Sequence, residues 1–156
     1  MAALRLISFT DGRGTRAGAW ITGDRVVDLG TDMLALIEGG AAALSSARAK
    51  AEAASGAVPL ASVRLEAPIP RPRRNVFCVG RNYMDHVAEG DRTRGITQSE
   101  VPKFPQFFTK APDCVIAPGA TVPSHANVTK WLDYEVELAA IIGKAGADIP
   151  KERALD

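Results

Sequence analysis

The sequence predicts a mainly β protein with short helices, an α+β architecture, and three observations lead there. Over residues 3–29, apolar runs of strand length alternate with glycine-containing turns. Residues 31–52 carry a helical pattern of apolar residues, interrupted at Gly39-Gly40. At 131–138, WLDYEVEL alternates acidic and apolar residues at a period of two, the mark of a strand with two unlike faces.

Composition narrows the function classes. The chain has 156 residues, enough for one core domain and a small N-terminal appendage. Lys+Arg is 19 against 18 Asp+Glu, a formal net charge of +1. That balance gives no general electrostatic case for a nucleic-acid partner or an anionic membrane. No apolar stretch reaches the roughly 20 residues of a membrane span, and the N-terminal run is too short for a signal peptide, so a cytoplasmic location is the default expectation. Cys78 and Cys114 match no metal or redox spacing and are expected to be reduced, buried or half-buried.

In chain order, LRLISF, AGAWIT and RVVDL read as three antiparallel strands joined by the turns DGRG and GD. GRG is read as a hairpin turn rather than a phosphate loop, because no dinucleotide spacing or following helix supports the latter. In 31–52, Met33, Leu34, Leu36 and Ile37 form an apolar stripe ahead of an Ala-rich run. The expected organisation is a small α+β domain over 1–65, a proline- and arginine-rich linker over 66–74, and a second domain over 75–156. In the last, NVFCVG reads as a strand. RNYMDHVAEG reads as one or two helical turns capped by Asn82, with Asp85 near the positive end, and closed by Gly90. Residues 91–102 read as a polar loop, PQFFTK as a short strand, and ADIPKERALD as the start of a helical turn.

Three constellations point to chemistry. Asp133, Glu135 and Glu137 would share one strand face, with Tyr134, Val136 and Leu138 turned to the core. A solvated outer face is the plain alternative. However, no Lys or Arg relieves the repulsion along that face, and acidic residues are depleted in strands. A divalent cation accounts for both, and hard oxygen donors suit Mg2+, Mn2+ or Ca2+ rather than zinc. His86 and Glu89, at i and i+3, could pair so that the carboxylate sets the imidazole tautomer for proton transfer, against the alternative of a surface pair. Lys110, at the end of an apolar strand, could present a cation to an anionic substrate. His125, in a loop, is given little weight.

In this order, NVFCVGRNYMDHVAE, PQFFTKAPDCVIAPGATV and LDYEVELAAIIGK resemble three motifs of the fumarylacetoacetate hydrolase family. These are its glycine-Arg/Lys-Asn-Tyr-x-x-His-x-x-Glu segment, its Phe-x-Lys and Pro-Gly segment, and its Asp-Tyr-Glu-x-Glu-Leu strand. The resemblance implies a mixed β-roll, of which 75–156 would be the first part, behind a variable N-terminal domain. It implies Glu135 and Glu137 as ligands of Mg2+ (or Mn2+ or Ca2+), with Asp133 flanking, and His86 and Glu89 as the catalytic pair on a short helix that orders over the site. It also implies Lys110 in the pocket, and Arg81 and Tyr83 near the substrate.

The implied reaction is metal-dependent hydrolysis of a C–C bond in a 1,3-dicarbonyl or 2-oxo acid. A metal-stabilised enolate would leave as a His86–Glu89-activated water attacks the other carbonyl. Decarboxylation, isomerisation and dehydration on the same scaffold are the alternatives, and a small anionic oxo acid and a homodimer are the implied partners. The family's third metal carboxylate lies farther along than any matching segment here. The expectation is therefore an incomplete member, and a non-catalytic fragment lacking that ligand is the alternative of a different class.

Overall fold

The structure is a computed structural model and describes residues 3–97, 100 and 102–155. The chain forms two compact units, Met1–Pro70 with Ile116–Asp156, and Arg71–Val115. The architecture is the expected one, antiparallel sheet with a few short helices.

In the first unit, β1 (Leu6–Thr10), β2 (Thr15–Ile21) and β3 (Arg25–Asp28) are the three strands read from the sequence. With the two-residue strands β4 (Val58–Pro59) and β5 (Arg64–Leu65) they make one antiparallel sheet in the order β4-β3-β2-β1-β5. The β1–β2 connection turns through Gly12 and Gly14 at φ +95 and +104, which only glycine adopts without strain. Beside it, Asp11 accepts from the Arg13 guanidinium and lies 2.9 Å from that of Arg16. These two cations hold its carboxyl well below the usual carboxylate range, with the Arg13 hydrogen bond the larger cause. The turn therefore keeps this ion pairing above the ordinary carboxylate pKa and loses it as pH falls through the lowered value.

Helices cover one face of this sheet. Ala17 and Ala19 of β2 and Val27 of β3 pack with Leu29, Met33, Leu36 and Ala47 into the core. Met33 and Leu36 come from α1 (Met33–Glu38), and Ala47 comes from α2 (Gly40–Ala53). Alanines at 17, 19 and 47 leave room for close helix–sheet approach. On the opposite face a Cβ at Gly18 would lie 2.8 Å from Val26 Cγ1 and 2.9 Å from Phe9 Cε1. Glycine there lets the Phe9 ring lie against the strand.

The break at Gly39-Gly40 separates the two helices, as the sequence indicates, with Gly39 ending α1 and Gly40 at φ +57 starting α2. Asp32 caps α1: its Oδ1 accepts from the Ala35 N–H at 2.9 Å. Asp32→Ala is expected to lower the stability of this unit by about 0.5–2 kcal/mol, read as a shift of the urea midpoint. An unmoved midpoint would remove the cap from this account. The proline-rich stretch begins docked on the sheet: Ser8 Oγ donates to the Pro68 carbonyl at 2.7 Å, and Ala67 is buried.

WLDYEVEL departs from expectation. No strand ladder forms over 131–140, and Tyr134, Val136 and Leu138 are exposed rather than turned to a core. Alternation says which side chains would share a face, but a strand exists only where a neighbour takes its backbone groups.

The second unit is an antiparallel pair, β6 (Val76–Gly80) with β7 (Gln106–Lys110), and the helix α3 (Met84–Thr93). Of the stretch 91–102 expected as loop, 91–93 are helical, and residues 98, 99 and 101 lie outside the described residues. Both cysteines are free, but Cys114 is exposed, because it ends a surface 3-10 turn, Pro112–Cys114. Among the described residues no helix is long and apolar enough to cross a membrane.

Candidate active site around α3

The site builds from the end of β6. After Gly80 the chain turns sharply at Arg81, whose φ of +55 is left-handed. For a residue with a Cβ this costs about 1–2 kcal/mol, so something must hold it there. Tyr83, extended at φ −109 and ψ 132, is the N-cap of α3. The start is one residue later than Asn82 predicts, and no side-chain oxygen caps it. Asp85 sits in the first turn, where the helix dipole favours a carboxylate.

Gly90 does not close the helix. α3 runs on to Thr93 and ends in a Schellman motif around Gly95, at φ +73. The Ile96 N–H reaches the Asp91 carbonyl at 2.8 Å, and the Gly95 N–H reaches that of Arg92 at 3.1 Å. The positive φ that ends a helix is needed at residue 95 rather than 90, because the helix continues through a buried anchor, Asp91.

That anchor explains the Arg81 turn. The Asp91 side chain is 3% exposed, and Arg81 Nη2 donates to both its carboxylate oxygens at 3.2 Å. Val87, one turn earlier on the same side, is also buried. At 3.6 residues per turn, His86 and Glu89 lie about 140° and 160° around the helix from Asp91. Both are exposed, as that placement requires. The ion pair thus secures one side of α3 while the opposite side carries the imidazole and the carboxylate. Sequence reasoning missed Asp91. The available signal was its i, i+4 spacing from Val87, which puts a carboxylate on the helix's apolar side.

Lys110 ends β7 opposite Val76, whereas Gly80 pairs with Gln106. By that register Lys110 stands at the far end of the ladder from Arg81, about 13 Å along it at ~3.3 Å per residue. The structure does not bring it beside the start of α3. An open hollow of about 660 Å3 lies along another side of the helix, lined by Asp85, Ala88, Arg92, Gly95, Ile96 and Thr97.

Asp133, Glu135 and Glu137 belong to the other unit and are exposed. Their donor chemistry fits a hard divalent cation, but such an ion takes six or more oxygens. Among the described residues, no three His, Cys, Asp or Glu side chains gather into a cation-binding group. The fit is therefore right in kind and partial in number.

Comparison with known proteins agrees with the motifs. The family model "Fumarylacetoacetate (FAA) hydrolase C-terminal" matches residues 75–156. Oxaloacetate tautomerase YisK of Bacillus subtilis (strain 168) is 46% identical over 97 residues, covering 62% of this chain and 31% of the relative. SAUSA300_0871 of Staphylococcus aureus (strain USA300) is 44% identical over 89 residues, covering 57% of this chain and 27% of its own length. A solved fumarylacetoacetate hydrolase from psychrophilic Exiguobacterium antarcticum superposes with a TM-score of 0.67 at 34% identity, over 96% of this chain and half (50%) of that one. The chain thus spans less than a third of these curated relatives, at 31% and 27%. With its motif segments inside the matched stretch 75–156, and that stretch more than half of its length, the chain belongs to the fumarylacetoacetate hydrolase family.

Proposed function

We propose that this chain carries the proton-handling part of an enzyme that interconverts the keto and enol forms of a small 2-oxo dicarboxylate such as oxaloacetate. The observation that carries this reading is the 46% identity over 97 residues to an oxaloacetate tautomerase. The exposed His86–Glu89 side of α3 supports it, because tautomerisation needs one positioned acid–base group.

The neutral His86 imidazole takes a proton from the carbon next to the oxo group, and the electron pair of that C–H bond becomes the enolate double bond. The proton then goes to the enolate oxygen, so the net change is isomerisation with no electron lost. Glu89, one helical turn from His86, can hold the imidazole in one orientation. Tyr83, the N-cap of α3, stands one helical turn before His86 and can flank the bound substrate, whereas Lys110, at the other end of the β6–β7 ladder, is given no contact with it. Enzymes of the family generally use divalent metals; Glu135 and Glu137 would be two of the oxygen ligands, and the ion, when bound, supplies Lewis acidity to the oxo-acid oxygens.

A second reading, C–C hydrolysis, is favoured by the likeness to the Exiguobacterium hydrolase. There His86 would take a proton from water as it attacks the second carbonyl, and the C–C bond electrons would leave with the oxo-acid fragment.

One experiment separates the two. The protein is incubated with Mg2+ and either oxaloacetate enol or an acylpyruvate, and the products are followed by NMR. Faster enol loss with the carbon skeleton intact supports tautomerisation, and release of two acids supports hydrolysis. No acceleration of either sinks both. In parallel, calorimetric titration of Mn2+ is expected to show binding that Glu135→Gln or Glu137→Gln weakens at least tenfold. Unchanged binding in both variants would remove these residues from the ligand set.

A further inference from the structure

We infer that Arg81 and Asp91 form a latch that fixes the pose of α3, and that Asp91 is a positioning residue acting through His86. The second part rests on the proposed proton-transfer role of His86. Three observations converge. Asp91 is a carboxylate 3% exposed, on a helix whose first turn has no side-chain cap. Its charge partner comes from outside the helix: Arg81 reaches both its oxygens at 3.2 Å. Arg81 itself stands at φ +55, directly after Gly80, the last residue of β6.

A buried carboxylate without a partner is strongly unfavourable, so the pair forms as a unit or α3 leaves its place. Because Arg81 lies at the end of β6, the pair ties the helix to the β6–β7 ladder. Asp91 and Val87 face inward, so both the rotation of α3 about its axis and its distance from the ladder are set there. His86 and Glu89 sit on the opposite side and inherit that pose. Asp91 touches no reacting atom. Its contribution is orientation, and in proton transfer a displacement of about 1 Å at the reacting group can cost on the order of 100-fold in rate.

Asp91→Asn and Arg81→Lys test the latch in the protein without deleting bulk. The amide keeps the shape and loses the charge, and the lysine keeps the charge and loses the guanidinium geometry. The first readout is amide hydrogen exchange, which needs no substrate. Asp91→Asn is expected to speed exchange in 84–93 at least tenfold while leaving 76–80 and 106–110 unchanged, with Arg81→Lys intermediate. Unchanged exchange in 84–93 overturns the latch. Loss of protection throughout the second unit also overturns it, since the pair would then hold the whole unit rather than the helix.

The second readout is turnover of the oxo acid. Asp91→Asn is expected to lower kcat about 10- to 100-fold with KM within about twofold, and to have no further effect in a His86→Ala background. A kcat loss that persists undiminished in that background overturns the positioning role, as does an unchanged kcat beside a loosened helix. If the unaltered protein turns over no oxo acid, the proposed function and the positioning role fail together, while the exchange data still decide the latch.

Discussion

His86→Ala is expected to lower oxo-acid turnover by about 100- to 10,000-fold, the usual worth of a general acid–base group. Of the two histidines, His125 lies in the loop PSHAN, whereas His86 is presented on a helix with a carboxylate one turn away. The imidazole is exposed, so its removal leaves no cavity, and Val87 and Asp91 continue to secure the helix. The variant should therefore unfold at the unaltered urea midpoint and keep its affinity for Mn2+ while losing kcat. Retained turnover would end the mechanism. Lost turnover with a shifted midpoint would move His86 from chemistry to structure.

Phe9→Ala is expected to destabilise the first unit by about 3–5 kcal/mol, a large part of a small unit's total stability. The ring is 2% exposed and lies over Gly18, with Val26 beside it. Arg16 stacks its guanidinium 5.0 Å from the ring centroid. Truncation removes the ring from beneath this cation and leaves a space that a rigid antiparallel sheet fills poorly. Equilibrium urea unfolding with constant slope measures the loss, and a cost under about 1 kcal/mol would mean the site collapses around the smaller side chain. Gly18→Ala probes the same contact from the other side, since its added carbon would press into the ring Phe9 now places there.

The two predictions differ in how far the sequence anticipates them. His86 and Glu89 stand out by spacing and by motif, and both lie on α3 as read. The burial of Phe9 against Gly18 was not legible, because the contact joins strands through a register, and register is a tertiary quantity. Asp91 was missed for a related reason. In sequence it belongs to the polar run EGDRTR, and nothing local says that an arginine ten residues earlier will turn back to meet it. The strand at 131–138 was over-read: its alternation is plain, yet 131–140 forms no ladder.

The sequence by itself determined what depends on neighbouring residues. Gly12 and Gly14 turn the first hairpin and Gly39-Gly40 divides the helices, because turns and breaks are set by local dihedral freedom. It also determined family membership, since three motifs in order are a linear property. The tertiary structure decided where α3 ends, which partner Arg81 takes, which carboxylate is buried, and that Lys110 stands at the other end of the ladder from Arg81. Each of these depends on which distant groups meet, and a buried charge is tolerated only where the fold brings it an opposite one.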